Sequence, residues 1–278
     1  MFVYHDWENF CCSLDKKEIH SITATAALGL GSHAPFFILK HDVETNPSKA
    51  LKMAEIEHTY GHCGSYYVQA YLLKTPKNIS ILRQIQSLGH EVSYHHDVMD
   101  SNGGDINKAI IEFDKNCSLF IEKGFTITTV CQHGNPVAQR KNYTSNRDFF
   151  RSPEIQARYP GIVDIMVNFP EKLKGTYTYI SDAGMGFKII HDPIHNDIVD
   201  TEDKNIFLGD LSAVKRYIDD GDKSILLSTH PHRWQRNIVI AATKKYMFLF
   251  IKAFAKLLMK IPFLKRLMEK YYYLAKKI

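Results

Sequence analysis

The sequence predicts an α/β protein built on a parallel sheet, and three observations carry that prediction. Short apolar or aromatic runs alternate with longer amphipathic stretches along the first half of the chain. Glycines at 89 and 124 close two of the amphipathic stretches, as helix C-terminal caps do. Titratable residues collect just beyond the apolar runs, the edge at which parallel strands of barrels and doubly wound sheets carry their sites. With 45% hydrophobic and 23% charged residues over 278 positions, the composition is that of a folded globular chain and excludes disorder.

The elements follow in order. Phe36 to Leu39 reads as a strand, and Ser48 to His58 as a helix with Pro47 in its first turn. Ser65 to Val68 is a strand, Ile79 to Leu88 a helix, and Glu91 to Tyr94 a third strand. Ile106 to Lys123 is a long helix, Phe125 to Cys131 a strand, and Ser224 to Ser228 a late, buried strand. This rhythm implies a parallel sheet, open or closed.

Polar residues mark the strand ends. Asp42 and Glu44 follow the first strand two residues apart, so in extended chain they share a face. Two carboxylates beside a divalent cation let one ligate while the other stays free as a base. The segment from Gly89 to His96 is not a zincin helix: the second His would fall at position 94, which is Tyr, and Val92 and Tyr94 favour a strand. What remains is a strand running into His95, His96 and Asp97, a donor set suited to zinc or another borderline divalent metal. His133 and Asn135 end the fourth strand, and His230, His232 and Arg233 the last, where His230 is placed to act as a general acid. Five cysteines with no Cys-x-x-Cys pair argue against a disulfide framework and against a thiolate zinc site.

Together these clusters resemble the polysaccharide deacetylase superfamily of the NodB-homology type. The match runs through Tyr94-His95-His96-Asp97, His133-Gly134-Asn135-Pro136, Asn146-Arg147-Asp148, Asp182-Ala183-Gly184 and His230-Pro231-His232-Arg233-Trp234, over roughly residues 1–236. Five such motifs in order are similar to a subgroup found with surface-polysaccharide genes. The resemblance implies a distorted (β/α) barrel, a divalent metal, zinc by preference, and removal of an acyl group from an amino sugar or glycan intermediate. It implies Asp42 as catalytic base and Glu44 and His95 as metal ligands. The family's second ligand His falls on Met99, which leaves His133, Asp97 or Asp100 to complete the set, with His133 taken as the third. Asn135, Arg147, Asp148, Asp182 and Arg233 become candidates for the sugar pocket.

Residues 237–278 form a separate basic tail, with ten Lys or Arg and one acid from Val239 onward, on a chain whose net charge is only +5. Lys252, Lys256 and Lys260 recur every four residues beside Phe248, Phe250, Ile251, Phe254, Leu257, Leu258 and Ile261; Pro262 interrupts, and Leu264 to Leu274 continues. A basic amphipathic helix of this kind can lie on an anionic membrane surface, the reading preferred for its narrow lysine stripe and wide apolar face; the alternative packs it on the barrel or on a second subunit with its lysines to solvent. The start of the chain lacks a basic and apolar leader, so a cytoplasmic, peripherally bound protein is expected. An acidic body with no recognition module argues against nucleic acid as partner. The competing reading is a non-catalytic sugar-binding or scaffold protein on the same fold, recruited to membrane-bound glycan machinery by the tail.

Overall fold

The computed structural model describes residues 1–30, 35–135, 138, 140–219 and 223–258, with side chains through residue 251. Nine strands form one sheet: β1 (Phe37–Val43), β2 (Gly64–Val68), β3 (Glu91–His96), β4 (Thr129–Gln132), β5 (Val163–Asp164), β6 (Thr178–Ser181), β7 (Phe187–Ile189), β8 (Ile206–Gly209) and β9 (Ile225–Thr229). Their spatial order is β5-β4-β3-β2-β1-β9-β6-β7-β8. All neighbours from β5 to β6 run parallel, while β7 and β8 add an antiparallel hairpin edge. The fold is a distorted (β/α) barrel, and no pairing joins β5 to β8 among the described residues.

The barrel has a dressed inside and outside. All seven residues of β1 are buried, and they alternate. Leu39 faces an outer cluster with Trp7, Met53, Leu227 and Trp234, and Val43 faces another with Tyr66, Tyr94 and Phe113. Ile38 instead joins an inner cluster with Tyr67, Cys131, Ile165 and Leu226. Ala24 and Ala27, on the short helix Ala24–Leu28, add to that inner cluster. Glu91 holds the same end together, accepting hydrogen bonds from Thr25, Ser65 and Thr129.

Several expected elements are longer than the apolar runs that announced them. β1 extends through His41 and Asp42 to Val43, and β3 includes His95 and His96, because both strands are paired on two sides. The strand expected from Phe125 shrinks to Thr129–Gln132; Phe125 packs instead against Phe120 of the helix Ile106–Glu122. Asp105 caps that helix, accepting from the amides of Asn107 and Lys108. The terminal helix Ile238–Leu258 begins the expected tail. The side chains of Lys252, Phe254, Lys256, Leu257 and Leu258, the residues Pro136, Lys260, Ile261 and Pro262, and the segment Leu264 to Leu274 lie outside the described residues. No helix among the described residues is long and apolar enough to cross a membrane.

One charged group is sealed between sheet and helices. Glu57, on the helix Pro47–Thr59, is fully buried and accepts from Trp7 Nε1 at 3.1 Å and Tyr66 Oη at 2.7 Å, with His41 Nε2 3.0 Å away. Burial pushes its carboxyl up, but His41, with help from His90 and Tyr66, outweighs that and holds it below the ordinary value. Its stabilising contribution is therefore present above an unfolded pKa of about 4.3 and drains away as pH falls through the lower folded value. Glu57→Ala should cost about 3–5 kcal/mol in urea unfolding, because it strands its buried partners. Glu57→Gln should flatten the loss of stability that the native chain shows on acidification below pH about 4.

Candidate metal centre

The carboxyl ends of β1, β3, β4 and β9 meet at one edge of the barrel. Even-numbered positions of β1 point inward, which sets Lys40 beneath Asp42. Lys40 is 2% exposed, and its ammonium donates to Asp42 Oδ2 at 2.6 Å and to Ser228 Oγ at 3.3 Å. Burial alone would raise the Asp42 carboxyl, but Lys40, then His95 and His230, hold it below its usual range. Its second oxygen, Oδ1, is buried and has no hydrogen-bond partner in the described structure. An ionised carboxylate with one oxygen committed to a lysine and one free is the form a general base requires.

Glu44, one residue beyond β1, faces His133 from the end of β4, with His133 Nε2 3.1 Å from Glu44 Oε1. His95 on β3 lies alongside, its ring centroid 5.2 Å from that of His133. Its Nδ1 donates to the Cys131 carbonyl at 3.0 Å, which leaves Nε2 with the lone pair. Burial pushes the His95 imidazole down to about 3 against the pull of Asp42, so the ring is neutral at physiological pH. Burial opposes ionisation of Glu44, yet its bond to His133 and the neighbouring His230 and His232 keep it well below the carboxylate range.

Glu44, His95 and His133 bring one ligand atom each within 4.8 Å of one another. One carboxylate and two imidazoles, with the free Asp42 oxygen beside them, fit a borderline divalent cation. Asp42, His95 and Cys131 also gather within that distance. That set is the poorer one, since burial raises the Cys131 thiol well above its ordinary value and a thiol is not a ligand until it ionises.

His230 follows β9. Its Nδ1 donates to Asp182 Oδ1 at 2.6 Å, and its backbone amide donates to Asp182 Oδ2 at 2.9 Å. The opposite ring nitrogen then looks into the site, 3.8 Å from Asp42 Oδ2 and 4.0 Å from Glu44 Oε1. Asp182 is fully buried; burial opposes its ionisation, but Arg233 and His230 lower its carboxyl strongly. Arg233 itself donates to the Asp182 carboxylate and carbonyl at 2.7 and 2.6 Å.

The structure thus brings Asp42, Glu44, His95, His133 and His230 together, and it gives several expected sugar contacts other work. Asp182 and Arg233 brace His230. Arg147 donates to Asn196 and Asp197, both at 2.8 Å, and Asp148 accepts from Arg151 at 2.9 Å, so both tie the segment around residue 197 to the body. Asn135 is half-buried two residues past His133 and keeps its place at the edge.

The two spare ligand candidates separate. Asp100 receives Arg140 twice, at 2.8 and 2.9 Å, and Asn146 at 2.8 Å, so it is not free for a metal. Asp97 is half-buried and outside either candidate ligand group. Met99 packs in the apolar cluster with Phe113 and Phe149, and the second imidazole comes from His133 on the adjacent strand end. Lys40 carries no role in the sequence reading; its one sequence signal is its place two residues before Asp42, on the same strand face. His96 turns outward to Asp164 at 2.8 Å and has a packing role among Phe113, Phe149 and Phe150.

No family model matches the chain, and no curated protein matches it. Two solved structures align with most of its length. A Streptococcus mutans CE4 esterase is 11% identical over 86% of this chain and 90% of that one, with a TM-score of 0.47. A mutant of the peptidoglycan deacetylase PdaC from Bacillus subtilis is 10% identical over 89% of this chain and 99% of that one, with a TM-score of 0.41.

Proposed function

We propose that the protein is a metal-dependent hydrolase that removes an acyl group from an amino sugar of a glycan intermediate in bacterial surface-polysaccharide assembly. The observation that carries this reading is the meeting, at one barrel edge, of a free carboxylate oxygen on Asp42, a histidine oriented by Asp182 and the Glu44, His95, His133 set. A scaffold without chemistry has no use for that combination. The surface-polysaccharide setting rests on the ordered motifs from Tyr94 to Trp234.

Glu44, His95 and His133 would hold the cation, which supplies Lewis-acid polarisation of the acyl carbonyl and stabilises negative charge on its oxygen. Asp42 Oδ1 takes the proton from the attacking water while Lys40 keeps the carboxylate ionised and fixed. The water oxygen bonds to the acyl carbon. His230, with Nδ1 held by Asp182, delivers a proton from its other nitrogen to the departing sugar nitrogen as the C–N bond breaks. The products are the free carboxylic acid and the amino sugar. Asn135 and the surrounding loops would contact the sugar.

The terminal helix supports a second part of the proposal, that the protein works at an anionic membrane surface. Tyr246 to Ile251 are between 40% and 70% exposed, and Lys244 and Lys245 adjoin them. Each lysine near such a surface contributes about 1 kcal/mol, and each fully buried large apolar side chain roughly 1.5–3 kcal/mol.

With N-acetylglucosamine oligomers and zinc, the wild type should release acetate, and Asp42→Asn should keep zinc while losing roughly 10²–10⁴-fold in rate. Glu44→Ala and His95→Ala should each weaken zinc by more than the roughly 10–100-fold that removal of an outer partner costs; stoichiometric zinc surviving both would place the metal elsewhere. In flotation with anionic liposomes at low salt, the full chain should rise with the lipid, and the triple variant Met247→Ser, Phe248→Ser, Ile251→Ser should stay behind. Equal flotation of the two would remove the membrane assignment for this helix.

A further inference from the structure

A cavity of about 360 Å³ opens between the helix Pro47–Thr59 and the root of the helix Ile238–Leu258. That volume lies within the roughly 300–1,000 Å³ of small-molecule sites. Its walls include Lys49, Lys52, Arg236, Asn46 and Asn237, and no carboxylate lines it among the described residues. Lys52 pairs with Glu55 at 3.3 Å. Among the described residues, Lys49 donates only to neutral partners, the carbonyls of His232 and Trp234, both at 2.8 Å. Arg236 has no carboxylate partner among the described residues. Lys244 adds to the excess: burial first, and then its positive charge, push the Lys49 ammonium down to about 8. Lys49 is half-buried and Arg236 exposed at the rim, and neither has a carboxylate partner among the described residues; such cations favour an anion, and a guanidinium beside an ammonium suits phosphate oxygens.

The cavity is linked to the metal centre along the chain, although the two share no lining residue. Asn46 lies two residues past Glu44, and the carbonyls that Lys49 holds belong to the segment that carries His230. We propose that this cavity binds a phosphate or pyrophosphate group attached to the sugar that reaches the metal centre. The proposal rests on the hydrolase reading for the sugar, while the anion site stands on its own cations. Two cations without acidic partners among the described residues, with Lys52, paired to Glu55, beside them, match a multiply charged phosphate better than a single carboxylate. A nucleotide and a lipid carrier both present that group.

The test is a calorimetric titration of inorganic pyrophosphate into the full-length, metal-free protein. Saturable binding is expected, roughly tenfold weaker in Arg236→Gln and unchanged in Glu44→Ala. Arg236 donates no hydrogen bond within the described protein, so this variant leaves the fold intact; Lys49→Gln should weaken binding as well. No binding, or binding by Arg236→Gln and Lys49→Gln as strong as by the unaltered protein, would overturn the proposal and put any anion on another basic surface. Competition by uridine diphosphate N-acetylglucosamine would assign the phosphate to a soluble nucleotide. Competition only by vesicles carrying a polyprenyl pyrophosphate would assign it to a lipid carrier, and competition by neither would overturn it. Loss of the hydrolase reading would appear separately, as zinc binding that ignores Glu44, with the pyrophosphate titration intact.

Discussion

A fully buried central strand carries three ionisable residues in succession, and much of the molecule is arranged to satisfy them. Lys40, His41 and Asp42 sit in the middle of β1, between β2 and β9, where an unpaired charge or donor would be severely penalised. The alternation of the strand sends them to different places. Lys40 and Asp42 turn inward and neutralise each other, with Ser228 of β9 as a further acceptor for the ammonium. His41 turns outward, where Thr229 meets one ring nitrogen and Glu57 lies against the other. Glu57 in turn draws in Trp7 and Tyr66, so the helix Tyr4–Asp15, the helix after β1 and the neighbouring strand are all fastened to the same charge.

The inward pair also shapes the edge above it. Because Lys40 occupies one oxygen of Asp42, the other, buried beneath the strand ends, keeps no hydrogen-bond partner among the described residues. Three further strand ends deliver His95, His133 and His230 to the same edge, His95 4.0 Å from that oxygen and His230 3.8 Å from the other. Each imidazole is held by a group behind it or beside it: the Cys131 carbonyl, the Glu44 carboxylate and the Asp182 carboxylate. Rigid support of this kind lets a site act without reorganising. The proposed acid–base pair, Asp42 and His230, comes from two adjacent strands, so its spacing is set by sheet pairing rather than by loop conformation.

What could be read in the sequence follows from these same physics. Asp42, His95, His133 and His230 each stand at or just past an apolar run, and the carboxyl edge of a parallel sheet is the one place such residues share. Lys40 was invisible as a site residue because a lysine inside a buried strand looks like the strand's end until its partner is placed. The roles of Asp182 and Arg233 depend on a contact across 48 and 51 residues, which no local pattern encodes. β5 to β8 leave no periodic signal in the sequence because they are two to four residues long, and Thr178–Ser181 and Phe187–Ile189 carry too few apolar positions for a period. Met99 stands where a second ligand imidazole is expected, and the packing of β3 against β4 shows how His133 comes to stand beside His95.

The central claim is that Glu44, His95 and His133 form a cation site against the free oxygen of Asp42. The most direct measurement is an anomalous difference map from crystals of the zinc-loaded protein, collected on both sides of the zinc edge. The account predicts one strong peak about 2.0–2.2 Å from a Glu44 oxygen and from a ring nitrogen of each histidine. A map with no peak there, or with the zinc on Cys131 or elsewhere, would contradict it.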